Sequence, residues 1–327
     1  MRGRRTLLAA AAALTMIGAS AVPVFAQTPV EIRFSYETPP GHIKSKTIEL
    51  FEQLLEEKSG GYYDVVLYPA AQLVGPSEEV AATARGQIEM SAPYFSYLGS
   101  IEPLMNFYQA PLVFDSYEDL WTFLATDEAA DLAARLERRG LQHLEYWFEA
   151  PSRLWTQEPV RSVADLEGQK IRVVPSEILQ DAVTAMGATP TAIPGPELYL
   201  ALQQGVADGA FTAPTYGLTF KFFEVSNAIT NLDLFYGGYF LMVNKSWFDQ
   251  QPEERQAQIL EAAEEARAFN ETEVKKDLAM VDDALAAEGM TVVQMTPELL
   301  AEFRQTLEPF YADLDAELRA LIEFAQQ

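Results

Sequence analysis

The chain has 327 residues, no cysteine, and 48 acidic against 23 basic side chains, for a formal charge of −25 at neutral pH. So acidic a surface makes nucleic acid and anionic lipid poor partners, and the missing cysteines remove disulfides, thiol catalysis and cysteine metal sites. About half of the residues are apolar, which at this length allows two lobes, each with its own core.

The amino terminus reads as an export signal. Arg2, Arg4 and Arg5 precede an apolar run over 7–17 and a small-residue exit at Val24, Phe25 and Ala26, so residues 1–26 form a secretory signal peptide cleaved before Gln27. The run is shorter than the roughly 20 residues of a membrane span, and Gly18, Ser20 and Pro23 interrupt its continuation. Sec export is the default route, and the Arg4, Arg5 pair leaves the twin-arginine route open. Cleavage removes three arginines and no acid, giving a soluble periplasmic chain of charge −28.

Over 31–36, Ile32, Phe34 and Tyr36 alternate with polar residues, the period of a strand with one buried face. After the Pro39 to Gly41 loop, Leu50, Phe51, Leu54 and Leu55 recur at helical spacing. Ser59, Gly60 and Gly61 end that helix, and a strand follows over 62–68. Helical patterns over 77–85, 117–124 and 128–139 and a strand near 88–91 continue the alternation, which predicts an α/β architecture. A strand at Ile171 and Val173 sends Arg172 to the opposite face. Ser176 fits the N-cap of the next helix, which Gly187 closes. A helix over 197–204, a short strand after Gly209 and an apolar strand over 239–244 come next. A helix over 252–288 is too long for one lobe and suits a bridge between two. A last amphipathic helix begins at Pro297.

Catalytic chemistry finds little support. There are two histidines, His42 beside the Pro39 to Gly41 turn and His143 in a strand, and neither belongs to a nucleophile or metal motif. His42 could face a cleft or sit in a surface loop, and His143 reads as solvent-facing or capped. The sequence contains no HExxH, GxSxG, phosphate-loop or EF-hand pattern. The expectation is therefore a non-enzyme without cofactor or metal. Arg172, followed at once by a helix N-terminus, offers a fixed cation beside backbone amides that suit a carboxylate. The same spacing also fits an arginine on the wet face of a strand. Arg153, two residues before Trp155, pairs a cation with an aromatic neighbour, as a binding cleft would.

Four segments then change the reading: DLEGQKIRV at 165–173, GATPTAIP at 187–194, ELYLALQQGVADG at 197–209 and the later LMVNKSWFD. They resemble the solute-binding subunits of tripartite ATP-independent periplasmic (TRAP) transporters, the family of the C4-dicarboxylate-binding protein. The resemblance implies a two-lobed α/β periplasmic binding protein whose chain crosses between lobes. Residues 27–150 with about 236–276 would form lobe I, and 151–235 with about 277–327 lobe II, spanned by one long helix. It implies a monomer that captures a small organic acid and hands it to a small and a large membrane permease subunit. The family arginine that grips the ligand carboxylate carries over to Arg172, and a second to Arg153, where the spacing differs by about one residue.

Departures from the family shape the expected pocket. The ligand-contacting asparagine of typical members appears as Thr212, and an aromatic wall residue is replaced by Gly195, which would leave more room or a differently shaped pocket. Phe211 and Tyr236 could supply aromatic surface or pack in the core. Tyr94 falls where the first lobe reaches the ligand, and so does Glu37. Inside the pocket Glu37 would favour a cationic or hydrogen-bond-donating group, as in a zwitterion, and outside it would be a solvated loop residue. A non-carboxylate ligand and a sensor reporting to a signalling receptor stand as the alternative functions.

Overall fold

The computed structural model describes residues 28–327, so the expected leader over 1–26 and its cleavage point lie outside it. In chain order the first elements are β1 (Val30–Ser35), α1 (Ile43–Ser59), β2 (Tyr63–Tyr68), α2 (Pro76–Ala84), β3 (Met90–Ser91), α3 (Tyr117–Leu124), α4 (Asp127–Glu137) and β4 (Leu141–Phe148). The middle of the chain gives β5 (Arg153–Thr156), β6 (Lys170–Val173), α5 (Glu177–Ala185), β7 (Thr189–Ala192), α6 (Leu198–Gln203), β8 (Gly209–Thr212), α7 (Pro214–Thr219) and β9 (Ala228–Thr230). The last part gives β10 (Gly238–Asn244), α8 (Lys245–Asp249), α9 (Glu253–Ala287), β11 (Thr291–Val293), α10 (Pro297–Asp313) and α11 (Ala316–Ala325).

The strands form two sheets, ordered β2-β1-β3-β10-β4 and β11-β9-β5-β8-β6-β7. The alternation in β1 sends Ile32 and Phe34 into a core with Phe51 and Leu55 of α1, Trp147 of β4 and Leu241 of β10. In the second sheet β6 runs parallel to both β7 and β8, while β5 runs antiparallel to β8 and β9. Trp155 and Ile229 there pack with Leu198, Leu202 and Phe222.

The chain passes between the sheets three times, twice through short segments, 149–152 and 231–237, and once through α9. The two segments bond to each other: Glu149 N–H donates to Gly237 O at 3.2 Å, Ser152 N–H to Phe235 O at 2.9 Å and Leu234 N–H to Ser152 O at 2.9 Å. Along α9, Ile259, Ala262, Ala263 and Ala266 face the first core, and Val281 and Leu285 face the second. Small residues let the helix approach the first sheet closely. Midway, the buried Asn270 side chain accepts from Phe148 N–H at 2.6 Å and donates to Phe148 O at 3.1 Å, clamping α9 to the last residue before a crossing.

The expected helix ends are met except in one detail. Ser176 holds the N-cap position of α5 with extended backbone, but its hydroxyl makes no capping bond and is buried without a partner. After α10, which packs on α5, the chain turns, and α11 leans on the 103–109 turn of the first half, where Arg135 pairs with Glu317. Among the described residues no helix is long and apolar enough to cross a membrane.

Candidate functional site

The carboxyl ends of strands in both sheets face a shared cavity. This is the edge at which open α/β sheets take their ligands, because the loops there are free of pairing constraints. From the second sheet come Arg172 in β6, Val174 just after it, Gly195 after β7, and Phe211, Thr212 and Ala213 at the end of β8. The first sheet contributes Glu37 after β1, Tyr94 and Tyr97 after β3, and Glu149 after β4. Ser152 and Phe235 reach in from the two crossing segments, and Tyr216 from α7.

Arg172 is 1% exposed. Its Nε donates to the carbonyl oxygen of Ile193 at 2.8 Å, and its Nη1 to that of Phe211 at 3.2 Å. These two carbonyls fix the guanidinium plane. Its Nη2 is buried with no hydrogen-bond partner, and among the described residues no carboxylate comes within 4.0 Å of it. Burial lowers its pKa, against opposing contributions from Tyr97, Tyr216 and Tyr94. An arginine stays charged under such a shift, so the cavity wall carries a cation without a counter-ion.

The opposite wall holds acids that are already engaged. Glu37 Oε2 accepts from Lys44 Nζ at 2.9 Å, and Lys44 is itself fully buried, 4.4 Å from the ring centre of Tyr239. Glu149 Oε1 accepts from Thr215 Oγ1 at 2.6 Å and from Ala150 N–H at 3.1 Å. Its Oε2 accepts from Tyr239 Oη at 2.7 Å and lies 3.1 Å from His42 Nε2. Burial alone would push the Glu149 carboxyl up. The adjacent His42 and the two hydroxyls outweigh it and hold the group below the usual carboxylate range. His42 Nδ1 accepts from Lys44 N–H at 3.2 Å, so the histidine caps α1 while its other nitrogen faces Glu149.

Of the residues singled out in the sequence, Arg172, Thr212, Phe211, Glu37 and Tyr94 stand together on the cavity wall. Arg153 does not. Its Nε meets Asp233 at 2.6 Å, and its Nη1 meets Asp282 at 3.0 Å and Asn231 at 3.2 Å, which neutralises the cation outside the cavity. Tyr236 is also displaced, its hydroxyl donating to Asp115 O at 2.6 Å and its ring packed edge-on against Tyr117, so the neighbouring Phe235 lines the cavity instead. Glu37 is not a solvated loop residue, being 7% exposed and paired with Lys44. His42 is not a surface histidine either, at 1% exposed. His143 is half-buried against Tyr146 and Phe240, its Nε2 without a partner, and burial lowers its pKa to about 4.

Gly195 does not simply leave room. A Cβ there would stand 2.8 Å from Tyr216 Oη, so the ring of α7 fills the place of the missing aromatic wall. That hydroxyl is buried, unpartnered and on the cavity lining. Tyr216 was not singled out in the sequence, and neither was Glu149, an acid closing an apolar strand. Among the described residues no group of three or more histidine and acidic side chains could hold a metal ion.

Two α/β halves, joined by paired crossing segments and one long helix around a cavity with an unneutralised cation, define a two-lobed solute-binding protein. The profile described as "Bacterial extracellular solute-binding protein, family 7" matches residues 34–317, and the chain belongs to that family. It is a family of binding proteins, not of enzymes. The C4-dicarboxylate-binding periplasmic protein DctP of Rhodobacter capsulatus is 29% identical over 96% of this chain and 95% of its own length. The 2,3-diketo-L-gulonate-binding periplasmic protein YiaO of Escherichia coli is 27% identical over 86% of each chain. A TRAP periplasmic solute-binding protein of Sulfurospirillum deleyianum, solved with bound succinate, superposes with a TM-score of 0.82 at 28% identity, covering 90% of this chain and 98% of that one. The two-lobed α/β fold with a bridging helix, expected from the sequence, is the fold of these proteins.

Proposed function

We propose that the chain is the exported periplasmic receptor of a TRAP transporter, a monomer that captures a small organic acid between its lobes and delivers it to a small and a large membrane subunit. The observation that carries this reading is Arg172 Nη2, a buried donor on a cation with no anion beside it. A buried, unpaired charge costs several kcal/mol, and a ligand carboxylate is the partner that removes the cost. On a chain of such negative charge an anion is attracted only where a local field of this kind dominates.

In this reading the lobes are residues 27–150 with about 236–276, and 151–235 with about 277–327. They rotate about the crossing segments, and closure removes water from the Arg172–carboxylate pair and strengthens it. Relatives named for C4-dicarboxylates and for 2,3-diketo-L-gulonate support an organic acid as the ligand class.

A thermal-shift screen of organic acids, sugars and compatible solutes should show stabilisation by acids alone. Calorimetry on the best acid should then show Arg172→Ala weakening binding by about 2 to 5 kcal/mol, roughly 30-fold to several thousand-fold. Arg172→Lys should not restore it, since an ammonium cannot reproduce the planar two-donor contact. Wild-type affinity in Arg172→Ala would end the assignment.

A further inference from the structure

We infer that the cavity selects a ligand with one carboxylate and a hydrogen-bond donor at its other end, and that it rejects dicarboxylates. The inference rests on the organic-acid reading above and concerns what faces the ligand's far end. Charge across the cavity is segregated by lobe. The cation, Arg172, comes from the second sheet, while both acids of the lining, Glu37 and Glu149, come from the first. Arg153 adds no second cation, since Asp233 and Asp282 hold it outside the cavity.

Lys44 does not present a free cation to the ligand either. It is fully buried and committed to Glu37, and it does not line the cavity. His42 accepts a backbone N–H on Nδ1, which leaves its proton on Nε2, 3.1 Å from Glu149 Oε2. A second ligand carboxylate would therefore meet two carboxylates in a space with little water, and such like-charge contacts are strongly unfavourable.

The same wall accepts hydrogen bonds. Both Glu149 oxygens are occupied, by three hydrogen-bond donors and with His42 Nε2 3.1 Å away, so it contributes negative potential more than a free acceptor. Glu37 spends Oε2 on Lys44, its Oε1 accepts no hydrogen bond among the described residues, and the residue lines the cavity. A hydroxyl, amide or ammonium group suits that position, whereas an acceptor-only group finds no complement there. Between the two ends Leu179, Val174, Phe211 and Phe235 offer apolar contact to a carbon skeleton.

The test uses shape-matched pairs that differ only in the second acid: succinate and succinamate, adipate and adipamate, terephthalate and its monoamide. Melting temperature and calorimetry are measured on the purified full-length mature protein. In each size that fits, the half-amide should bind at least about a hundredfold more tightly than the diacid. The double variant Glu37→Gln/Lys44→Met removes the acid without orphaning the lysine and should narrow that gap by at least about tenfold. Diacids binding as well as half-amides would overturn the inference and leave the organic-acid reading intact. An unchanged gap in the double variant would overturn the role of Glu37. If no member of any pair binds, and sugars or compatible solutes stabilise the protein instead, the organic-acid reading fails and takes this inference with it.

Discussion

Two arginines enter the second sheet from the strands on either side of β8, both nearly buried, and the molecule treats them in opposite ways. Arg153, at the start of β5, is gripped by Asp233 on a crossing segment and by Asp282 on α9, so it ties the hinge to the bridging helix. Arg172, in β6, has two backbone carbonyls and no acid. Burial of a cation is thus common to both, and neutralisation separates them. The paired arginine acts as a structural latch, while the bare one lines the cavity. Lack of a partner is not by itself a mark of the site, because Glu79 and Gln109 also have buried side-chain atoms without partners and do not line the cavity. The combination of an orphan charge and a facing cavity is what distinguishes Arg172.

The largest effect should come from breaking the latch. Arg153→Ala strands beside a hinge two acids that are each about a third exposed, and losing their charge-assisted bonds costs about 1.5–3 kcal/mol. Urea unfolding should report that loss, while calorimetry should find ligand affinity within about threefold of wild type. A collapse of binding without loss of stability would show that Arg153 serves the ligand after all. Arg172→Met should behave in reverse. Without ligand its stability should lie no more than about 1 kcal/mol below wild type, or above it, since an unpaired buried charge is removed.

His143 extends the contrast to a half-buried group whose Nε2 is buried and unpartnered among the described residues but remote from the cavity. Its pKa falls from an ordinary 6.5 to about 4 because burial opposes the charged form. The unfolded chain therefore takes up a proton below about pH 6.5 that the folded protein refuses until about pH 4, so stability declines as pH falls through that window. The full shift corresponds to up to about 3 kcal/mol. Melting curves of His143→Leu between pH 7 and 4 should lose most of that decline, with ligand affinity unchanged.

Most regular elements could be read from the sequence because their apolar residues keep a period. The period of 2 in β1 and of 3.6 in α1 predicts their buried faces, and the uninterrupted helical pattern over 252–288 predicts the bridge. The 3-10 turns Phe95–Ser100 and Pro103–Gln109 carry no such period and were not legible. Arg172 was legible from its strand and from the family resemblance. Arg153 misled because a sequence shows a cation beside an aromatic and hides Asp233 and Asp282, which reach it only through the fold. The His42–Glu149 contact is hidden for the same reason, its halves meeting across more than a hundred residues of chain. Gly195 leaves more room or a differently shaped pocket open in the sequence, because the ring beside it belongs to α7, a helix of six residues too short to announce itself.

That ring offers the finest test of the contrast. Tyr216 Oη is the neutral counterpart of Arg172 Nη2: buried, on a residue of the cavity lining and without a hydrogen-bond partner among the described residues. Its ring is held by stacking on Phe220 at 4.2 Å and by an edge contact with His42 at 5.5 Å, so position does not depend on the hydroxyl. If the orphan hydroxyl exists to meet a ligand, Tyr216→Phe should leave unfolding within about 0.5 kcal/mol of wild type. It should weaken the bound acid by about 0.5–1.5 kcal/mol, roughly 2- to 12-fold, the worth of one hydrogen bond. Calorimetry and urea unfolding on the same preparation separate the two quantities. A loss of stability with unchanged affinity would place Tyr216 with Arg153, among the groups that hold the protein together, and would leave Arg172 as the sole polar contact argued for the second lobe.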